Sequence, residues 1–249
     1  MFSHYFALGD SVSIDLYPAL DLGETDVAVA LERVASAGTV APVGAASLLY
    51  ENSTARWDEF DGRDLVTRFP GIRFTNLAAD GGTIGDVFAD QLPELPASDE
   101  AALVTLTTGG SDLLTAFGGH RGRGSLLGSI VRDTLQAYDL LVSEIRRVLP
   151  GATLLLATVY DPSDGTGRVP GVYDGATLPL AHLDTFNDHV RDVAARTPDA
   201  RLADLHAAFL GHGVTAPEAE RWYWKRSLVE PNAAGASEIR RQWLEALGE

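Results

Sequence analysis

"FALGDSVSIDLYP", Phe6 to Pro18, is the stretch on which the reading of this chain turns. Tyr5 to Leu8 reads as a strand, and Gly9-Asp10-Ser11 breaks it before a helical stretch. Ser11 would then stand at the carboxyl end of a strand and at a helix N-terminus. Free N–H groups and the helix dipole favour a developing negative charge there, which suits a nucleophilic hydroxyl. Asp and Ser are equally ordinary helix caps, so the tripeptide alone leaves both readings open.

Outward from this block, short apolar runs alternate with helical patterns. Ile72 to Ala78, Ala102 to Thr108 ("ALVTLTT"), Ala152 to Val159 ("ATLLLATV") and Ala200 to Leu205 read as further strands. The unbroken run at Ala152 suits a strand buried on both faces. Helices are predicted over Ser125 to Leu149, stopped by Pro150-Gly151, over Leu178 to Arg196 and over Ala234 to Leu247. This alternation argues a parallel sheet with helices on both faces. No internal repeat or long linker divides the chain, so residues 1–249 read as one domain. Pro162 to Gly175 is a Gly/Pro/Asp-rich loop after the fourth strand, on the edge where open α/β sheets place ligands; it reads equally as a plain surface loop.

Composition narrows the function. With 45% hydrophobic residues the chain can bury a sizeable core. A formal charge of −16 makes nucleic acid and anionic membranes poor partners, and the acidic residues are scattered as on a solvated surface. No run approaches a membrane span, and the N-terminus does not read as a secretion signal. The absence of cysteine excludes disulfides, thiolate metal sites and a cysteine nucleophile. A cytoplasmic protein acting on a small molecule is the expectation, with its oligomeric state open.

Three further blocks complete the pattern. "NLAADGGT", Asn76 to Thr83, follows the second strand; "TTGGSDLL", Thr107 to Leu114, follows the third; "EPNAAGASEIRRQWLEAL" begins at Glu230 and forms the last helix. In this order, from Phe6 to Leu247, the chain resembles the SGNH, or GDSL, hydrolase family. The resemblance implies a flavodoxin-like three-layer α/β/α sandwich around a five-stranded parallel sheet, and hydrolysis or transfer of the acyl group of a small ester without a cofactor or metal. Ser11 would be the nucleophile, and Gly81 would offer its backbone N–H to an oxyanion.

The chain departs from the family pattern at three positions. The third block usually reads Gly-x-Asn-Asp, whereas here Gly109-Gly110-Ser111-Asp112 puts serine at the oxyanion asparagine. The last block usually reads Asp-x-x-His-Pro, whereas here Ser227-Leu228-Val229-Glu230-Pro231 lacks both acid and base. An imidazole takes and returns a proton near neutrality; a carboxylate near pKa ~4.3 does so poorly unless burial raises it. Without a histidine to orient, the usual aspartate has no task, and Ser227 could hydrogen-bond a glutamate instead. Esterase chemistry through Ser11 and Glu230, with Ser111 as a donor, is therefore the leading expectation. Non-hydrolytic acid/base chemistry (lyase, isomerase or cyclase) through Glu230 and an inactive ligand-binding module are the rivals.

Other residues compete for roles. His120, in the loop after the third strand, is the best substitute histidine, its ring kept neutral by Arg121 and Arg123; His182 and His189 read as helix-surface residues. Asp10 and Asp112 are local caps or substrate contacts, and with Asp15 and Glu230 they could form a hard-cation cluster, although no metal is expected. "RWYWKRS", Arg221 to Ser227, reads as a helix end packing its rings on the core, with Trp224 as a candidate pocket wall. Ala46 to Leu65 reads as a helix pair over the sheet or as a lid.

Overall fold

The central sheet forms where apolar residues alternate with period two on both faces. The computed structural model describes residues 1–23, 25–26, 41–120 and 124–249. In chain order these hold β1 (His4–Gly9), α1 (Leu16–Asp21), α2 (Ala45–Tyr50), α3 (Leu65–Arg68), β2 (Arg73–Asn76), α4 (Ile84–Asp86), β3 (Ala102–Thr107) and α5 (Gly110–Gly119). They continue with α6 (Gly124–Val148), β4 (Thr153–Ala157), α7 (Leu180–Arg196), β5 (Ala200–Ala203), α8 (Leu205–Phe209), the short strands β6 (Tyr223–Trp224) and β7 (Ser227–Pro231), and α9 (Ala233–Leu247). The five predicted strands and three predicted long helices are all present, with ends shifted by a few residues.

β1 to β5 form one parallel sheet in the order β2-β1-β3-β4-β5. On one face Tyr5, Ala7, Leu103, Leu155 and Ala203 pack with Leu49 of α2 and Ile239 and Trp243 of α9. On the other, Phe6, Leu8, Val104, Leu106, Leu154 and Leu156 meet Tyr138, Leu141 and Ile145 of α6 and Phe186 and Val190 of α7. Both faces are covered because apolar residues alternate onto each side of β1, β3 and β4, while the buried Thr105 of β3 meets the Tyr5 hydroxyl at 3.0 Å. The three layers and the strand order are those of a doubly wound flavodoxin-like fold, whose ligand crevice opens where the order reverses, between β1 and β3.

Of the two readings of Ala46 to Leu65, the helical cover over the sheet holds and the lid does not: Ala45, Ala46 and Leu49 of α2 are buried against the sheet and α9. One local expectation changes. "RWYWKRS" is not a helix end but enters the antiparallel β6–β7 hairpin, with Lys225 and Arg226 exposed at its turn. The helical stretch after β1 is present as a 3-10 turn, Ser11–Ser13, followed by α1 from Leu16, so the dipole directly behind Ser11 is that of a single turn.

Candidate active site

β1 ends at Gly9 with φ of 122°, and a Cβ there would lie 1.6 Å from the Thr107 carbonyl oxygen. Only glycine allows the two central strands to part this closely. Asp10 follows, its carboxylate accepting from the Val12 N–H at 3.2 Å and so capping the Ser11 turn. The turn is fixed from two sides: the Ser13 hydroxyl lies 2.8 Å from that of Thr107, and Asn76 Nδ2 donates to the Ser13 carbonyl at 3.1 Å. Ser11 is thereby held, buried, at the switch point.

Glu230 arrives from the opposite end of the chain. The Tyr160 hydroxyl donates to the Val229 carbonyl at 2.8 Å, Asn232 caps α9, and the Ala233 N–H donates to Asp21 at the end of α1. These contacts tie the last strand to the Ser11 side of the crevice. Burial raises the Glu230 carboxyl to about 7; a hydrogen bond from the Ser11 side chain works against that rise, and the charge of Asp80 adds to it. Glu230 Oε2 is buried without a partner. Asp10 is raised to about 7 as well, by burial first; the Val12 N–H and the Thr107 hydroxyl oppose the shift, and the Glu230 charge promotes it. The site thus brings a serine into one cavity with two buried carboxyls, each raised to about 7, a range suited to proton exchange.

Asp10, Ser11, Ser111 and Glu230 all border one cavity of about 130 Å3. It runs from Ser11 beneath α5 to the first turns of α6 and α7, and its far walls are apolar. His182 borders it too, at the start of α7, although sequence placed it on a helix surface. Its position in the first turn of a helix that opens beside the crevice is the only signal that could have found it.

The other sequence candidates do not line this cavity. Gly81 lies in the left-handed region at φ of 68°, in the loop beside Asp80; Asp80 accepts from the Tyr17 hydroxyl at 2.9 Å at the rim. Ser227 does not line the cavity, and among the described residues no hydrogen bond joins it to Glu230, whose Oε2 has no partner; β7 is irregular between the two, its pairing with β6 shifting from Trp224–Ser227 to Tyr223–Pro231. Asp112 spends its carboxylate on the Ile84 N–H, at 3.1 Å from Oδ2, which docks the second sequence block onto the third. Trp224 packs against Tyr17, with ring centroids 5.6 Å apart. His120 lies outside the cavity with Nδ1 buried and unpartnered, and Arg121 and Arg123 fall outside the described residues. The proposed cation cluster also comes apart: Asp15 accepts from the Gly44 N–H at 2.7 Å and the Ser47 hydroxyl at 2.9 Å. Among the described residues no three His, Asp or Glu side chains converge as metal ligands, and no helix is long and apolar enough to cross a membrane.

Sequence reasoning missed Gln91 and Asn187, two buried amides that hold the backbone at the ends of β1 and β4. Asn187 accepts from the Val159 N–H and donates to its carbonyl, both at 2.8 Å. Val159 is part of the cavity wall.

A flavodoxin-like α/β/α sandwich with a serine at the exit of its first strand defines the SGNH class of hydrolase fold. The chain belongs to the GDSL-like lipase/acylhydrolase family, whose profile matches residues 34–237. The match opens downstream of the Ser11 turn and takes in the segments of Gly81, Ser111 and Glu230. Among solved structures the chain is similar to an alpha/beta hydrolase enzyme, LAE5, from the metagenome of Lake Arreo, Spain, with 22% identity, a TM-score of 0.60, and 99% of this chain and 95% of that one covered. It is similar to an acetylxylan esterase from Geobacillus stearothermophilus, with 19% identity, a TM-score of 0.59 and coverage of 99% and 94%. It also resembles phospholipase A1 from Streptomyces albidoflavus NA297, with 21% identity, a TM-score of 0.53 and coverage of 100% and 99%. At these identities the likeness is one of fold. Among curated proteins nothing matches.

Proposed function

We propose that the protein hydrolyses or transfers the acyl group of a small ester, with Ser11 as nucleophile and Glu230 as its base. The observation that carries this reading is the shared cavity: Ser11 and Glu230, from opposite ends of the chain, border it together, and burial holds the Glu230 carboxyl at about 7. A carboxylate so raised can accept the serine proton as Oγ attacks the carbonyl carbon, then return it to the departing alcohol. Water then attacks the acyl carbon and gives a proton to Glu230; the bond from that carbon to Ser11 Oγ breaks, Glu230 returns the proton to Oγ, and the carboxylic acid leaves. The charge on the carbonyl oxygen would be met by the Ser11 N–H and the Ser111 hydroxyl, with the Gly81 N–H as a third donor from the rim. The likeness to an acetylxylan esterase and a phospholipase, both of which act on acyl esters, agrees with this chemistry.

A fluorophosphonate probe tests it. Labelling is expected on Ser11, lost in Ser11→Ala, slowed at least 100-fold in Glu230→Gln and unchanged in His182→Gln. Labelling that survives Ser11→Ala, or that collapses in His182→Gln while Glu230→Gln keeps it, overturns the assignment. The pairing of Asp10 with Glu230 favours one second reading, acid/base chemistry without an acyl-serine. That reading predicts no labelling in the folded wild-type protein.

A further inference from the structure

We propose that the cavity beyond Ser11 is a site for a short acyl group of about four to six carbons, and that Tyr173 sets its length. This rests on the Ser11 reading for its chemistry, but its size argument stands on the cavity alone. An apolar protein cavity of about 150 Å3 holds one benzene molecule, six carbons. The cavity here, about 130 Å3, is slightly smaller. Leu113 and Phe117 of α5, Leu127 and Val131 of α6 and Leu183 of α7 make its far wall, an apolar lining against which a chain lying there would bury part of its surface. Each further methylene buried raises affinity about fourfold, until the wall is reached.

Tyr173 stands behind that wall. Its hydroxyl donates to the Leu114 carbonyl at 2.6 Å, and its ring meets that of Phe117 edge-on with centroids 5.4 Å apart. The slot it fills exists because residue 118 is glycine: a Cβ there would lie 2.6 Å from the tyrosine ring. The loop that carries Tyr173 is anchored at its root. Asp161 accepts from the Ser163 and Gly165 N–H groups, and Asp164 from those of Gly211, Gly213 and Thr215. With its root fixed, the loop presses the tyrosine on Phe117, and Phe117 cannot swing outward to admit a longer chain. Tyr173 touches the wall and not the cavity, so it is a positioning residue for acyl length.

Two measurements test this on the full chain. The first is kcat/KM for 4-nitrophenyl esters from acetate to decanoate; the second is calorimetric binding of 1-alkanols from butanol to decanol, which needs no chemistry. Wild type should peak at butanoate to hexanoate and fall at least tenfold by decanoate, and alkanol affinity should stop rising near six carbons. Tyr173→Ala, or Gly118→Ala if that variant does not fold, should move both limits outward by two or more carbons, whereas Tyr173→Phe, which keeps the ring, should not. A profile flat in chain length, or limits unmoved by both opening variants, overturns the proposal. An alkanol limit that shifts as expected, together with an unlabelled Ser11, would instead sink the esterase reading and leave the cavity assignment standing.

Discussion

Gln91 closes a two-bond ring on Gly9. Its Oε1 accepts from the Gly9 N–H and its Nε2 donates to the Gly9 carbonyl, each at 2.8 Å, and the amide is buried. The carbonyl has a second donor in the Ala79 N–H, but the Gly9 N–H has Gln91 alone among the hydrogen bonds seen. Gln91 thus fixes the last peptide before Asp10 and Ser11, from 82 residues away.

Replacing it by leucine leaves that N–H orphaned. Gln91→Leu is expected to cost about 1–3 kcal/mol in urea unfolding. It should also slow fluorophosphonate labelling of Ser11 by about 10- to 100-fold, since small misplacements of a reacting group cost that much. Asn187→Leu removes the same kind of clamp from Val159 and should cost as much stability, yet slow labelling far less, because Val159 forms wall and not nucleophile. Equal loss of labelling in both variants would show that general destabilisation, and not positioning, explains the effect.

The contrast between these clamps and the strands shows what sequence carries. "ATLLLATV" marks β4 because a strand covered on both faces needs an unbroken apolar run, which local order displays. Ser11, Ser111 and Glu230 are legible because each follows a strand or precedes a helix at a position fixed by the ladder. Gln91 and Asn187 are not, since a polar residue in an amphipathic segment looks the same whether it faces water or a distant peptide. Ser227 is reached from family spacing alone, and spacing along the chain does not bring it into the cavity that Glu230 borders. The aromatic run at Trp222 hid a hairpin for a related reason: rings pack as well from a strand as from a helix end.

The two raised carboxyls give stability and activity opposite responses to pH. Glu230 and Asp10 sit at about 7 in the folded protein against ordinary values near ~4. Between those values the folded state holds protons that the unfolded chain releases, so the contribution of these two groups to stability is full below about pH 4 and declines as pH rises to about 7. The Glu230 share of that decline is on the order of 3 kcal/mol. Activity runs the other way, because the base must be ionised, and kcat/KM should climb through pH 7. Glu230→Gln is expected to flatten part of the stability slope and to be more stable than wild type at pH 8 while losing esterase activity. Urea unfolding at pH 5 and pH 8 and one pH–rate profile check both halves; a variant less stable than wild type at pH 8 contradicts the burial argument.

Arg240 poses the converse case, a cation in the apolar stripe of α9 between Ile239 and Trp243. It is 1% exposed, its guanidinium lies 3.6 Å over the Phe60 ring, and it donates to the Asn52 and Ser237 side chains. Among the described residues it forms no ion pair closer than 4.0 Å, and burial, its main perturber, lowers it to about 10. The side chain therefore packs the Ala46 to Leu65 excursion onto α9 while bearing the cost of a desolvated charge. Arg240→Ala removes the packing and is expected to cost about 3–5 kcal/mol. Arg240→Met keeps most of the volume and discards the charge, so it should be neutral or more stable than wild type by about 1–4 kcal/mol. Urea unfolding of both variants separates packing from charge. If methionine destabilises as much as alanine, the hydrogen bonds to Asn52 and Ser237, and not the stacked volume, are what hold this part of the fold against the sheet.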